Sequence, residues 1–401
     1  MSRKRRFEFS GRLQRLPPYL FAKLNALKYE KRRKGLDVID LGMGNPADPT
    51  FEPIVRKLCE AARDPRNQRY SSTAGLFNLR REVARMYRRE WGVELDPETE
   101  IINVIGSKEG YSHLCLALLG PGDTAIVPSP AYPIHIYGVV LAGANVISVP
   151  LENISTLMSR LATIVEGLFP KPKLLVLNFP HNPTARVVEN EDFFKEVVRF
   201  CRRHRIIVVH DFAYAKTTFD GYEAPSFLRT KGAKDIGVEF TTMSKTYNMA
   251  GWRIGFCSGN PEITAALAKI KSYYDYGLFQ AIQIAAIVAM RECAEESRTQ
   301  ALLYQRRRDV LCRGLQRIGW EVTPPKATMF VWVPIPKEWR KMGSINFSMM
   351  LLEEAHVAVA PGRAFGEEGE GFLRVALVEN EQRLKQAVLQ IERALRKRGR
   401  S

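Results

Sequence analysis

Long hydrophobic runs are missing from this 401-residue chain, and none approaches the ~20 apolar residues that a membrane-spanning helix needs. The basic start at residues 1–6 is not followed by an apolar segment with a cleavage site. Internal repeats and low-complexity stretches are missing as well. We therefore expect no membrane partner, no secretory signal and no repeat architecture.

Cysteine and histidine are scarce, with six residues of each. The cysteines are scattered without Cys-x-x-Cys spacing, and the histidines show no spacing typical of metal ligands. Scattered cysteines are typical of free thiols in a reducing compartment. The sequence therefore predicts a cytoplasmic protein without disulfides, and we expect no metal site.

Acidic residues are the minority charge, since 43 of them accompany 60 basic residues and leave a net charge of +17. A basic surface can attract nucleic acid or anionic substrates. No aromatic interleaving or recognition-helix pattern accompanies the main basic runs, which lie at residues 31–34, 88–89, 306–308 and 396–400. We therefore expect solvated surfaces and no nucleic-acid partner, with a general attraction of dicarboxylates as the alternative.

The chain does contain a regular alternation of strand-like and helical patterns, from about residue 74 to residue 260. The strand-like apolar runs lie at residues 124–127, 145–149, 174–177, 206–210 and 238–242. Helical patterns between them, such as residues 76–91 and 190–204, predict an α/β fold with a mostly parallel sheet covered by helices. Such sheets bind ligands at the carboxyl ends of their strands.

A second, smaller unit follows. A long helical pattern at residues 279–318 leads to strand-like and helical segments at residues 328–333, 344–354 and 373–376, and to a last helix from residue 382. We predict a smaller α+β domain at residues 291–401. Residues 1–50 would form an N-terminal arm and part of that small domain, and residues 51–290 the large domain.

The most informative motif is SKTYNMAGWRIG at residues 244–255. Its Lys245 follows a strand-like segment, and Arg253 lies eight residues later. A lysine amine can form a Schiff base with an aldehyde cofactor, and an arginine fork can hold a phosphate group. Because most lysines are solvated surface charges, the weight of this motif depends on its partners.

Three such partners occur along the chain. GSKEG at residues 106–110 follows a strand and opens a helix, which makes an anion site from free backbone N–H groups. Asn182 precedes a proline and is thereby biased toward extended backbone. Asp211 ends an apolar strand, where a carboxylate is costly unless a cation or a hydrogen-bond donor faces it. A protonated pyridine nitrogen would be such a partner.

In this order the motifs resemble those of the fold type I aminotransferases, the pyridoxal-phosphate enzymes of class I and II. The resemblance runs from about residue 13 to residue 395. Within the family the chain is most similar to bacterial glutamate–pyruvate (alanine) aminotransferases, followed by LL-diaminopimelate aminotransferases. Further matching segments lie at residues 15–19 (RLPPY), 41–46 (LGMGNP), 70–75 (YSSTAG), 129–135 (SPAYPIH) and 361–374.

The resemblance implies pyridoxal 5'-phosphate as cofactor and three catalytic residues. Lys245 would carry the cofactor and move the proton at the substrate Cα. Asp211 would keep the pyridine nitrogen protonated, so that the ring accepts electrons. Tyr214, together with Asn182, would hydrogen-bond the phenolic oxygen of the ring, and Tyr132 would stack on its face.

Other residues would bind phosphate or substrate. The implied phosphate cup consists of Ser107, Lys108, Thr242, Ser244 and Arg253, with Thr242 where the family usually has serine.

The implied substrate site consists of Arg374, which would clamp the α-carboxylate, Asn182, and Gly44, which would leave room for substrate. Tyr70 would reach the phosphate of a neighbouring subunit, which implies a homodimer with shared active sites.

The implied reaction is L-alanine plus 2-oxoglutarate giving pyruvate plus L-glutamate. KSYYDYG at residues 271–277 offers hydroxyls in place of a dedicated arginine, which favours a permissive pocket. The same segment could serve LL-diaminopimelate, with Asp275 or a tyrosine near the distal ammonium; aspartate or another amino acid is a further alternative.

Two other protein classes share these motifs. One comprises pyridoxal-phosphate β-lyases and decarboxylases, which the cofactor motifs do not exclude. The other comprises transcription regulators with an aminotransferase-like domain, which need an N-terminal helix-turn-helix module. Only about fifty residues precede the large domain here and they match the enzyme arm, so we expect an enzyme.

Overall fold

The computed structural model describes residues 7–17 and 21–398. Part of the arm motif, at residues 18 and 19, and the predicted domain ends at residues 1–6 and 399–401 lie outside the described residues. The described helices are, in chain order, α1 (Gly11–Gln14), α2 (Phe21–Arg33), α3 (Glu52–Arg63), α4 (Phe77–Trp91), α5 (Ser107–Leu118), α6 (Pro133–Leu141), α7 (Ile154–Gly167), α8 (Asp192–His204), α9 (Met243–Thr246), α10 (Pro261–Tyr274), α11 (Gln280–Glu292), α12 (Ala294–Arg317), α13 (Ser344–Glu354) and α14 (Glu381–Arg398).

The strands of the described residues belong to one large and two small sheets. In chain order they are β1 (Ile39–Asp40), β2 (Ile101–Val104), β3 (Thr124–Ser129), β4 (Asn145–Pro150), β5 (Leu174–Asn178), β6 (Ile207–Asp211), β7 (Gly237–Thr242), β8 (Gly255–Gly259), β9 (Phe330–Pro334), β10 (Val357–Ala358), β11 (Ala360–Pro361) and β12 (Phe372–Ala376). Short 3-10 turns lie at Pro65–Gln68, Phe227–Arg229, Ala250–Trp252, Lys337–Met342, Gly362–Phe365 and Glu367–Gly369.

The large sheet has the strand order β2-β8-β7-β6-β5-β3-β4. All neighbouring strands run parallel except β8, which is antiparallel to both β2 and β7. The prediction of an α/β fold with a mostly parallel sheet is therefore confirmed.

Both faces of this sheet are buried, which explains why its strands are apolar throughout. Along β5, Leu175 and Leu177 belong to one hydrophobic core, whereas Leu174 and Val176 belong to another on the opposite face. Side chains alternate between the two faces of a strand, so a sheet with helices on both sides needs apolar residues at every position.

The helical pattern at residues 279–318 forms two helices rather than one. The break is at Cys293, whose φ of −106° and ψ of 34° leave the helical region. The two helices bury different faces, because α11 packs against α3 and α4 whereas α12 packs against α14. A change of packing partner thus ends the continuous helix.

The smaller unit is built on the antiparallel sheet β11-β12-β9 and has a hydrophobic core of its own. The short strand β1 pairs in parallel with β10, so residues 39 and 40 lie beside the C-terminal part of the chain. This pairing supports our proposal that residues 1–50 contribute to the small domain, and the boundaries at residues 50 and 290 remain part of that proposal.

The six cysteines are all free: Cys59 on α3 is exposed, and the other five are buried. Among the described residues, no helix is both long and apolar enough to span a bilayer.

Candidate active site

Four strands of the large sheet that run in the same direction end at one edge. Val104, Asn178, Asp211 and Thr242 are their last residues. A cleft of about 520 Å³ lies at this edge, and the small sheet contributes Phe330 and Arg374 to it. The predicted site residues that line the cleft are Gly44, Ser107, Lys108, Tyr132, Asn182, Asp211, Tyr214, Thr242, Ser244, Lys245, Arg253 and Arg374.

Lys245 lies on α9, the single helical turn that follows β7. Thr242 caps this turn, because its Oγ1 accepts a hydrogen bond from the Ser244 N–H at 3.2 Å. The Lys245 Nζ donates to the backbone oxygen of Gly44 at 3.0 Å. Burial, reinforced by the positive charges of Arg374 and Arg253, lowers the pKa of Lys245 to about 8. The neutral amine that a nucleophile requires is therefore far more populated near neutral pH than in an ordinary lysine.

Asp211 presents two carboxylate oxygens in different surroundings. Oδ2 lies 2.9 Å from the Nε2 of His135, and the Asn178 side-chain amide donates to the Asp211 backbone oxygen at 2.7 Å. The other carboxylate oxygen, Oδ1, is buried and has no hydrogen-bond partner among the residues that the structure describes. A buried acceptor without a donor is destabilising. The protonated nitrogen of a pyridine ring in the cleft would supply that donor, so Asp211 fits the predicted cofactor.

The opposite end of the predicted cofactor site is suited to a phosphate. Gly106 precedes α5 with a φ of +80°, and the Arg253 guanidinium lies so close that a Cβ at Gly106 would be 2.4 Å from its Nη2. Only glycine leaves room there for the arginine. Ser107 is the first residue of α5, so free N–H groups of a helix N-terminus lie beside a guanidinium.

Hydroxyl groups complete this end of the cleft. The Thr242 Oγ1 donates to the Ser244 Oγ at 3.0 Å, and Lys108 is exposed at the rim. The donor set of N–H groups, hydroxyls and one arginine matches the three oxygens of a phosphate monoester.

Arg374 on β12 is buried and held from several sides. Its Nη1 donates to the Asn182 Oδ1 at 2.8 Å, and its Nη2 donates to the Gly42 backbone oxygen at 3.2 Å. Its guanidinium carbon lies 4.1 Å from the ring centre of Phe330 and 4.6 Å from that of Phe365. Both rings favour the cation and restrict its plane. Arg374 is thus a rigid fork that faces the same cleft as Lys245.

Gly44 has a different neighbour from the one we expected. A Cβ at this position would lie 2.3 Å from Cε1 of Phe330. The space left by the missing side chain is therefore occupied by the ring that lies over Arg374, whereas the sequence prediction assigned that space to substrate.

The two predicted tyrosines of the cofactor site both line the cleft. Tyr214 is buried, its ring meets that of Phe330 edge-on at 5.5 Å, and burial raises the pKa of its hydroxyl well above the usual value. It is therefore a hydrogen-bond donor at every physiological pH. The Tyr132 ring lies edge-on to His135, with 5.7 Å between ring centres.

Tyr70 is the predicted site residue that the structure places elsewhere. It is 85 % exposed and lies against Tyr276, with 5.0 Å between ring centres. Together with Gly277 and Phe279, both tyrosines line a separate surface depression outside the cleft. In a single chain Tyr70 does not take part in the site.

Sequence reasoning assigned no role to three residues that line the cleft, Asn178, Phe330 and Phe365, or to His135, which contacts Asp211 from behind the cleft. His135 was within reach of the sequence, because it lies three residues after Tyr132 on the first turn of α6. No local pattern marked Phe330, because it acts through a contact with Arg374, which lies far along the chain. Phe365 lies in the matched segment at residues 361–374, but the match did not indicate its contact with Arg374.

Comparison with known proteins agrees with this geometry. The family model "Aminotransferase class I and II" matches residues 36–391. The chain is 50% identical over 388 residues to the glutamate-pyruvate aminotransferase AlaC of Escherichia coli, which covers 97% of this chain and 94% of that protein. It is 42% identical to the LL-diaminopimelate aminotransferase of Moorella thermoacetica, over 96% of this chain and 98% of that protein.

Solved structures lead to the same family. The substrate-bound structure of BacF from Bacillus subtilis superposes with a TM-score of 0.90 at 33% identity, and the match covers 96% of this chain and 98% of that one. The chain therefore belongs to the class I and II aminotransferases, and it is a pyridoxal-phosphate-dependent enzyme that transfers amino groups between amino acids and 2-oxo acids.

Proposed function

We propose that this aminotransferase takes the amino group of L-alanine and gives it to 2-oxoglutarate, forming pyruvate and L-glutamate. The observation that carries the proposal is the rigid Arg374 fork in the same cleft as the Lys245 amine, which suits an α-amino acid. The choice of alanine is supported by the 50% identity to a glutamate-pyruvate aminotransferase.

The composition of the cleft also favours a small, permissive substrate site. Its basic lining residues, among those that the structure describes, are Lys108, Lys245, Arg253 and Arg374. Arg374 is assigned to the α-carboxylate and Arg253 to the phosphate. No further arginine of the described chain remains in the cleft for a side-chain carboxylate. Such a cleft accepts a methyl group, and it leaves the distal carboxylate of 2-oxoglutarate to hydroxyls, water or the exposed Lys108.

The residues then divide the chemistry as follows. When bound, pyridoxal phosphate supplies an electron sink for the bond that breaks at the substrate Cα. Asp211 Oδ1 would hold a proton on the ring nitrogen, and Tyr214 and Asn182 would hydrogen-bond the phenolic oxygen. The Lys245 amine would accept the proton at Cα and return it, because burial lowers its pKa to about 8 and so brings its titration close to neutral pH. Arg374 binds the α-carboxylate through two N–H groups.

We also propose a homodimer in which Tyr70 completes the cleft of the partner. Tyr70, Tyr273, Tyr274 and Tyr276 are all more than half exposed, and Tyr70 lies outside its own cleft. Exposed aromatic clusters are typical of interaction surfaces. A two-fold dimer is the commonest arrangement of such chains. We predict that the enzyme is located in the cytoplasm, and the six free cysteines support this prediction.

LL-diaminopimelate is the second candidate amino donor, because several relatives that act on it are 42% identical to this chain. Asp275, which was expected to lie near the distal ammonium of LL-diaminopimelate, makes other contacts in this structure. The carboxylate of Asp275 contacts the Lys271 ammonium and the Gly277 N–H, and it does not line the cleft of its own chain. This contact favours alanine.

A panel of amino donors tests the proposal. The purified enzyme, loaded with pyridoxal phosphate, is mixed with 2-oxoglutarate and either L-alanine, LL-diaminopimelate or L-aspartate, and glutamate is measured. Single-turnover changes in cofactor absorbance are recorded with each donor alone, and Lys245→Ala is the blank. We expect fast turnover with L-alanine. Rapid reaction with LL-diaminopimelate and near silence with L-alanine would overturn the proposed substrate.

A further inference from the structure

A fully buried lysine lies outside the cleft, in the last turn of α10. Lys271 is 0% exposed, and its Nζ lies 3.1 Å from Oε1 of Glu109 and 3.0 Å from Oδ2 of Asp275. A buried ammonium ion is strongly destabilising unless carboxylates face it. Here two carboxylates do so: Glu109 lies in the first turn of α5, and Asp275 directly follows the end of α10.

Glu109 connects the ammonium to the predicted phosphate cup. It lies in the first turn of α5, and its Oε2 accepts a hydrogen bond from the Ile105 N–H at 2.7 Å. This bond closes the turn that contains Gly106, Ser107 and Lys108. Burial alone would raise the pKa of Glu109, but contacts with His113 and Lys271 outweigh it and lower the pKa, so the group stays ionised.

Asp275 connects the same ammonium to the surface that carries Tyr70. Its Oδ1 accepts a hydrogen bond from the Gly277 N–H at 2.7 Å. Gly277 has a φ of +82° and packs so closely that a Cβ there would lie 2.6 Å from the backbone oxygen of Ser72. This turn places Tyr276 against Tyr70.

Glu109, His113 and Asp275 also lie close enough together to resemble metal ligands. A metal ion is not needed to balance them, because the Lys271 ammonium already lies between the two carboxylates. The arrangement is an ion-pair network that joins the first turn of α5 to the segment that follows α10.

We propose that Lys271 is a positioning residue that couples binding of the cofactor phosphate to association of two chains through the Tyr70 surface. The inference rests on the homodimer proposed above. Phosphate binding orders the turn at residues 106–108, Glu109 transmits that order to Lys271, and Asp275 transmits it to the turn at residues 275–277. By linkage, each binding event then strengthens the other by the same factor.

The test compares cofactor-free wild type with Lys271→Met, and uses Lys271→Arg to restore the charge. Cofactor affinity is measured by titration of protein fluorescence with pyridoxal phosphate. Dimer affinity is measured by sedimentation with and without cofactor. We expect Lys271→Met to weaken both affinities about tenfold, a typical size for such coupling, and Lys271→Arg to recover part of each. Lys269→Met, which changes an exposed lysine of the same helix, should leave both at wild-type values.

Variants of each carboxylate test its contact with Lys271 separately. They also keep the proposal testable if Lys271→Met does not fold. Glu109→Gln should weaken mainly cofactor affinity, and Asp275→Asn should weaken mainly association of the cofactor-free chains. The inference is overturned if these two effects are reversed. It is also overturned if Lys271→Met lowers only the thermal unfolding temperature and changes neither affinity. A wild type that sediments as a monomer would overturn the homodimer, and this inference with it, whereas a wild-type dimer with unaltered variants overturns the inference alone.

Discussion

Lys245 lies in surroundings that disfavour its charged ammonium form. Its pKa falls from 10.5 to about 8, mainly through burial and also through the charges of Arg374 and Arg253. In the unfolded chain the amine should return to its ordinary value. Between pH 8 and 10.5 the unfolded chain therefore binds more protons than the folded one, and stability rises with pH across that window.

Replacement of Lys245 by methionine should consequently stabilise the cofactor-free protein at pH 7. The expected gain is up to roughly 3 kcal/mol, since each pKa unit corresponds to about 1.4 kcal/mol. The gain should shrink toward pH 10, where the folded wild type already carries a neutral amine. Urea unfolding of both proteins at pH 7 and pH 10 measures it, with Lys269→Met as the exposed control. A gain that grows with pH would contradict the lowered pKa.

The sequence predicted which residues line the cleft better than it predicted which residues they contact. Lys245, Arg253 and Asp211 could be found because each stands in a short motif at or after the end of a strand, and such strand ends meet at one edge of the sheet. The pairing of Asp211 with His135 could not be found in this way, because it joins positions 76 residues apart. The catalytic roles of these residues remain predictions.

Between elements, the N-terminal arm and β9 together orient the arginine of β12. The Phe330 ring occupies the space beside Gly44 and lies over the Arg374 guanidinium. The Gly44 backbone oxygen accepts from Lys245. The N-terminal arm, β9 and β12 thus fix the position of the Lys245 amine relative to the Arg374 guanidinium.

Gly44→Ala should push the Phe330 ring off Arg374, because the new Cβ would lie 2.3 Å from Cε1. We expect the KM for the amino donor to rise about tenfold, equivalent to about 1.4 kcal/mol, with little change in cofactor affinity. Phe330→Leu removes the clash but also one stacking partner. In the double variant the losses should therefore be smaller than the sum of the two single losses. Steady-state kinetics of all four proteins decides this, and strictly additive effects would refute the contact.

Element boundaries show what periodicity leaves open. The pattern at residues 279–318 predicted continuous helix, yet α11 and α12 meet at Cys293 because they pack against different partners. Apolar spacing records that a face is buried, and it does not record which element covers that face.

At the scale of the whole molecule, the proposed homodimer requires residues of one chain to act in the site of the other. The segment at residues 271–277 was expected to line the substrate pocket. In a single chain Lys271 is buried away from the cleft, and Tyr276 lies at the surface beside Tyr70. A sequence motif cannot state in which copy of the chain it acts. The fold was predictable because it depends on contacts within the chain.

Mixing two defective variants tests the shared site. Lys245→Ala removes the amine, and Tyr70→Ala removes the group proposed to reach the partner. Random pairing of equal amounts makes half of the dimers mixed, and each mixed dimer has one intact site. The activity of the mixture should reach about a quarter of the wild-type value at most, and it should exceed that of either variant alone. The measurement is glutamate formation after cofactor-free subunits are mixed and reloaded. A mixture no more active than the mean of its parents would show that Tyr70 serves its own chain or none.

Because the six cysteines differ in exposure, their reactivity with a thiol reagent can measure how far the chain has unfolded. Cys59 is exposed, whereas burial raises the pKa of Cys115, Cys201 and Cys312 to about 12 and also raises those of Cys257 and Cys293. Thiol reagents react with the thiolate and need access to it. In a closed chain such a reagent should therefore label Cys59 alone, and the remaining five should be labelled only as the chain opens. Mass spectrometry of the labelled protein then separates closed from opened chains by counting labels, without any added dye or change in the sequence.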